Sequence, residues 1–122
     1  MSLHTIRVHN VTRQTILAEH AAVADTSSKR RTGLLKHDLL PAGEGLWIVP
    51  CEGVHTFWMK FAIDIVYLSR KRKVVKVARR VVPWRVSICL RAHSVLELPA
   101  GTIDATKTAR GDMLEFTPVS GT

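Results

Sequence analysis

Two charges interrupt the most apolar stretch of the chain. Between His55 and Leu68, Lys60 and Asp64 stand among Phe57, Trp58, Met59, Phe61, Ile63 and Ile65. A second carboxylate, Glu97, is flanked by Leu96 and Leu98 in another apolar run. A carboxylate in such surroundings needs a partner or holds its proton to higher pH. Arg31 is the natural candidate partner, because a guanidinium binds a carboxylate through two parallel hydrogen bonds. The predicted site is a polar pocket of Arg31, Lys60, Asp64 and Glu97, edged by Trp58. Such a group could hold a small polar ligand or carry out acid–base work. The same four charges could instead form a buried ion-pair network that only fixes a helix against a sheet. In an unbroken strand Lys60 and Asp64 share a face about 13 Å apart, so pairing them requires a bulge.

A second constellation is set by spacing. Cys51 and His55, like Cys89 and His93, are separated by three residues. Two thiolates and two imidazoles suit tetrahedral zinc, but this is not the usual zinc-knuckle spacing. No metal or cofactor is therefore assigned. A contact between Cys51 and Cys89, reduced or bridged, is the alternative use of the cysteines. No Gly-x-Ser-x-Gly elbow supports a serine hydrolase, and no glycine-rich loop is built to cradle phosphate.

The elements that must position these residues are mostly strands. Leu3 to Val11 and Thr12 to His20 read as an opening hairpin. Asp25, Thr26 and Ser27 are good helix N-caps, and one short helix is predicted over about residues 27–35, with Leu34 and Leu35 facing inward. Its basic face comprises Lys29, Arg30, Arg31 and Lys36. Leu46 to Val49 is a short strand stopped by Pro50. The stretch from His55 to Leu68 reads at period two as a central strand, with a break expected at Lys60 to Ala62. The charged turn Ser69 to Lys73 leads to a strand rich in valine, so Ile63 to Ala78 is predicted as a hairpin. Arg85 to Arg91 is ambiguous. Ser94 to Leu98 is a strand, Thr102 to Ala109 reads as irregular, and Met113 to Val119 is a final strand. Short strands between frequent turn signals predict an all-β fold, a compact sandwich or barrel-like single domain spanning residues 1–122.

The residue pieces resemble the DUF192 family, also called UPF0127, of small bacterial and archaeal proteins. The resemblance is carried by Arg31-Thr32-Gly33-Leu34-Leu35, Gly43-Glu44-Gly45-Leu46-Trp47, Phe57-Trp58-Met59-Lys60, Ile63-Asp64-Ile65, Val95 to Gly101, and Gly111-Asp112. Their order and spacing run from about Ala24 to Phe116. The resemblance implies a mainly β fold with a short helix and brings no established biochemical activity with it. The connection from Met59-Lys60 to Asp64 is shorter here than in many members.

Composition bounds the function classes. The chain has 122 residues, 18 Lys and Arg against 10 Asp and Glu, and a net charge of +8. Such a surface attracts polyanions without choosing among them. A nucleic-acid stripe could run through Arg70 to Lys73, Lys76, Arg79, Arg80, Arg85 and Arg91, with Trp84 and Tyr67 available for stacking. The apolar runs fall far short of the ~20 residues of a membrane helix. No apolar segment of signal-peptide type is read near the first residues, so the expected compartment is the cytosol. The leading expectation is a non-enzymatic module binding a small polar ligand or a protein partner. The alternatives are a small hydrolase or isomerase using Glu97 or Asp64, and a basic nucleic-acid-binding protein.

Overall fold

The computed structural model describes residues 5–35 and 37–119. Leu3, His4 and Lys36 lie outside them. The chain runs β1 (Thr5–Asn10), β2 (Thr15–Ala24), α1 (Ser27–Thr32), β3 (Glu44–Ile48), β4 (Gly53–His55), β5 (Ile63–Leu68), β6 (Val74–Val81), β7 (Val86–Ile88), β8 (Ser94–Pro99), α2 (Thr102–Thr106) and β9 (Leu114–Pro118). Seven strands form one sheet in the order β6-β5-β8-β3-β2-β1-β9, and β4 with β7 forms a separate two-stranded ribbon. The large sheet curls into a half-barrel. Its two edge strands approach at one end, where Lys73 bridges Met113 and the Val74 N–H donates to the Asp112 carbonyl at 2.8 Å.

β5 is buried along its whole length. That explains its apolar run: a strand covered on both faces has no solvent side to make polar. Ile63, Ile65 and Tyr67 enter one apolar cluster with Ile48, Val95 and Leu34. Val66 and Leu68 enter the other with Leu96, Leu98, Val8 and Ile103. β5 is therefore the strand around which both cores are built.

The opening hairpin, the Ile63 to Ala78 pairing and the strands at Leu46, Ser94 and Leu114 stand where the sequence places them. Three readings change. The break expected at Lys60 to Ala62 is present but longer: β5 begins at Ile63, and Thr56 to Ala62 is a connection between two sheets, so no single strand runs from His55. The buried Thr56 explains the break, because its hydroxyl donates to the Val82 carbonyl at 2.7 Å and accepts from the Arg85 N–H at 2.9 Å. This staple turns the chain away from the sheet. The predicted helix is shorter, capped by the Thr26 side chain and ended at Gly33 with φ +48°. Leu34 is buried as expected, but from the turn after the helix.

The third change is a second helix, α2, where the sequence reads as irregular. It lacks a side-chain cap of its own. The buried Asp64 carboxylate supplies one from β5, accepting from the Gly101 N–H at 3.1 Å and the Ile103 N–H at 2.8 Å. Its other oxygen accepts from the Arg80 N–H at 2.9 Å. Arg80 has φ +48° and lies in a bulge of β6, where the pairing steps from Ile65–Ala78 to Ile63–Val81. One carboxylate thus satisfies three backbone donors that neither the helix nor the ladder can pair.

Asp64→Ala is expected to destabilise the protein by about 3 kcal/mol or more, since it strands buried N–H groups. Lys60→Ala, which removes an exposed charge, should leave the denaturation midpoint unchanged. Urea unfolding of the two variants beside wild type tests both; equal midpoints for the two variants would contradict the role given to Asp64.

Candidate functional site

The structure separates the four predicted charges. On β5 and β8 the paired residues are Ile65–Glu97 and Asp64–Leu98. Cross-strand partners share a face, so Asp64 and Glu97 point to opposite sides of the sheet. Lys60 lies in the connection before β5, exposed, and its Nζ donates to Asp38 Oδ1 at 2.8 Å. Trp58 is 71% exposed and packs its ring edge on Trp84, with centroids 4.6 Å apart. Of the predicted set, only Arg31 and Glu97 come to the same place.

That place is a cavity of about 350 Å³ between α1 with its following turn, the end of β3 and the start of β4. Leu34, Ile48, Val54 and Met59 form apolar walls, while Arg30, Arg31, Cys51 and Glu97 bring polar groups. Glu97 is buried and makes no hydrogen bond or ion pair among the described residues. Burial in these surroundings pushes its carboxyl up from 4.5 to about 7. Water is a far better host for the anion than an apolar cavity, so the proton stays on until the solution is near neutral. Arg31 lines the same cavity from the exposed side of α1 but forms no ion pair with Glu97 within 4.0 Å. Arg30 is held in place instead. Its guanidinium donates to the carbonyls of Asp25 and Val49 at 3.2 and 3.4 Å.

By spacing Cys51 is a candidate zinc ligand or a neighbour of Cys89, and in the fold it lines this cavity. Its thiol donates to the Gly53 carbonyl at 3.0 Å. Burial pushes that thiol up, and the nearby Glu97 charge acts in the same direction. The Tyr67 phenol is likewise pushed up by burial, and it bonds Ser87 Oγ at 2.6 Å. Cys51 and Cys89 are both free thiols. Among the described residues, no three His, Cys, Asp or Glu side chains gather as a metal site requires. The cavity itself had no signature in the sequence beyond the apolar neighbours of Glu97. Arg30 and Cys51 reach it only through the β3–β8 and α1 packing.

The basic stripe is also redistributed. Arg72 stacks on Phe116 and Trp47, with its guanidinium carbon 4.5 and 5.3 Å from the ring centroids. Lys76 donates to the Ile88 carbonyl at 2.8 Å, and Arg79 pairs with Asp104 at 2.7 Å. Tyr67 is fully buried and cannot stack on a base. No helix among the described residues is long and apolar enough to cross a membrane.

Comparison with known proteins agrees with the fold. The chain is 31% identical over 113 residues to a UPF0127 protein of Pyrococcus furiosus, an alignment covering 88% of this chain and 95% of the relative. Two bacterial crystal structures share the fold. One is a protein of unknown function from Novosphingobium aromaticivorans, with TM-score 0.79, 21% identity and coverage of 93% of this chain and 84% of that one. The other, from Sinorhizobium meliloti, is named as a candidate transcription regulator, with TM-score 0.81, 18% identity and coverage of 94% of each chain. The family model for DUF192, described as "Uncharacterized ACR", matches residues 8–116. With this match over most of its length and 31% identity to a UPF0127 protein across 95% of that relative, the chain belongs to the DUF192 (UPF0127) family.

Proposed function

We propose that the protein is a small-ligand-binding module whose site is the cavity beside Glu97. The observation that supports this most is the Glu97 carboxyl itself. It is buried, lacks a partner among the described residues and lines a space large enough for a small metabolite. Holding a carboxyl against apolar walls at the edge of a cavity is costly for the free protein, and a ligand that hydrogen-bonds to it recovers part of that cost. The chemistry of the walls suggests the ligand. One end carries a hydrogen-bonding or cationic group for Glu97, a short apolar body meets Ile48, Leu34 and Met59, and an anionic end meets Arg31 at the mouth. The ligand is thus a small zwitterionic or amide-bearing acid. The free thiols fit the reducing cytosol.

A second reading rests on the burial of Glu97 at the wall of an open cavity. A carboxyl poised near neutrality is a suitable general acid or base, so Glu97 could serve a small hydrolase or isomerase. Asp64 offers that chemistry no free oxygen, because backbone N–H groups occupy both. A nucleic-acid role draws little support from the stripe, since Arg72 is stacked on Phe116 and Trp47, Arg79 is paired with Asp104 and Tyr67 is buried, and the likeness to the Sinorhizobium meliloti chain is one of fold.

The buried carboxyl makes a pH prediction. Its folded-state value is about 7, above the ordinary 4.5, so the folded chain keeps the proton longer than the unfolded chain does. The contribution to stability is fully present below about pH 4.5 and is lost as pH rises through 7. Its size is on the order of 3 kcal/mol. Unfolding free energies of wild type should therefore fall across this window relative to Glu97→Gln, which carries no titrating group there. Parallel curves for the two proteins would refute the assignment.

Binding itself is tested by thermal unfolding with amino acids, amino-acid amides and small guanidino acids. A ligand at one hundred times its dissociation constant should add about 2.7 kcal/mol to wild-type stability. Glu97→Gln should lose most of that gain and Arg31→Ala part of it. No stabilisation by any of these compounds would count against the ligand class. A ligand that stabilises Glu97→Gln as well as wild type would remove Glu97 from the site.

A further inference from the structure

The β4–β7 ribbon turns one side toward the protein and the other toward solvent. Val54 packs against the core cluster from the inner side, where Ser87 also bonds Tyr67. On the outer side Val86 and Ile88 are 61% and 53% exposed, and Leu90 just beyond them is 76% exposed. The apolar surface continues from Val86 through His55 and Phe57 to Trp84, which is 53% exposed, and on to Trp58. Isolated exposed apolar residues are ordinary, but a contiguous run that includes two tryptophans marks a surface that something covers. The backbone holds it outward. Trp58 and Trp84 have φ of +69° and +70°, in the left-handed region that bulky side chains avoid. The Thr56 staple to Val82 and Arg85 imposes those turns. Strain of this kind persists where the surrounding structure requires it and concentrates at functional positions.

Charge and composition indicate what covers it. Arg85 and Arg91 border the run, both exposed, and Lys76 lies along it; Glu52 is the acid at its edge. With a net charge of +8, a second copy docked through the same face would set these cations against each other. A single-stranded nucleic acid would use the aromatic rings, but it leaves Val86, Ile88 and Leu90 unexplained. Tryptophan with protruding aliphatic side chains and flanking arginines is the composition of a bilayer interface. There the indole sits at headgroup level, the aliphatic tips reach the acyl boundary and the cations meet lipid phosphates.

We propose that this face docks on an anionic lipid bilayer, with Trp58, Trp84, Ile88 and Leu90 entering the interface and Arg85 and Arg91 contacting phosphates. The contact is peripheral and needs no spanning segment. The face adjoins the Glu97 cavity along Gly53, Val54 and His55, but neither Glu97 nor Arg31 lines it.

The test is co-sedimentation of the full chain with vesicles of phosphatidylcholine alone and of phosphatidylcholine mixed with phosphatidylglycerol. Binding is expected to the mixed vesicles only, weakening as salt rises, with a blue shift of tryptophan emission. The double variant Ile88→Asp/Leu90→Asp should lose roughly tenfold or more in partitioning, as removal of buried apolar area and addition of negative charge dictate. Arg85→Glu/Arg91→Glu should also bind less and show a weaker salt dependence. Because these side chains are exposed, far-UV circular dichroism melts should match wild type. The fluorescence shift provides a readout without any substitution. The proposal is overturned if wild type neither sediments with the mixed vesicles nor shifts its emission, or if Ile88→Asp/Leu90→Asp sediments as wild type does. It is equally overturned if sedimentation equilibrium shows a dimer abolished by the same substitutions while vesicles go unbound. Oligonucleotide binding lost with Trp58 and Trp84 in place of vesicle binding would assign the face to nucleic acid instead.

Discussion

The fold depends on the carboxylate of Asp64. A half-barrel must bend its strands, and bending opens a bulge in β6 that leaves the Arg80 N–H without a ladder partner. A short helix packed inside must begin somewhere, and α2 begins with N–H groups that its own residues do not cap. Both deficits lie beside β5, at the same depth of the protein. Asp64 meets them together, with two oxygens and three donors within 3.1 Å. A charge that looks misplaced in an apolar strand is thereby a polar solution to backbone geometry. Hydrogen bonds from N–H groups to an ionised acceptor are among the stronger ones in a protein interior.

Glu97 sits one strand away and is treated in the opposite manner. Asp64 faces donors; Glu97 faces Ile48, Met59 and empty space. The difference follows from one step of register, since pairing Ile65 with Glu97 sends the two carboxylates to opposite faces. The same residue chemistry therefore yields a structural cap on one side and a proton-holding group at a cavity wall on the other. A comparable carboxylate closes the far end of the half-barrel. There Asp112 is drawn up by burial, but hydrogen bonds from Arg13, Asn10 and the Ala109 N–H outweigh that and hold it below its ordinary range. Asp64 and Asp112 have donors arranged for them, and Glu97 has none among the described residues. That contrast supports the proposal that the cavity is a ligand site.

The second sheet belongs to the same logic. The Thr56 staple diverts the chain from the central strand and raises a ribbon whose inner side covers the core and whose outer side stays apolar. In the sequence these residues extend the apolar stripe of β5, and the length of the run marks a break near Lys60 to Ala62 without showing that the chain leaves the sheet there. What splits it is a contact between Thr56 and residues about 26 to 29 positions further on. No local propensity encodes such a contact.

Much was legible from residue order alone. Period-two burial, turn residues and the N-cap at Thr26 placed the hairpins, the last strand and α1, because these features depend on neighbours within a few residues. The family followed from short motifs that residue order alone displays. One holds Gly45, where a Cβ would lie 2.9 Å from the Glu97 carbonyl across the β3–β8 pair, a role only the fold reveals. The sequence also marked Asp64 and Glu97 as unusual, since a carboxylate among apolar neighbours always demands an explanation. Only the tertiary structure decided what each does. Whether a buried charge caps a helix, pairs with an arginine or faces a cavity depends on strand register and on which distant backbone arrives beside it. Both are set by the closing of the sheet and not by any short stretch of chain.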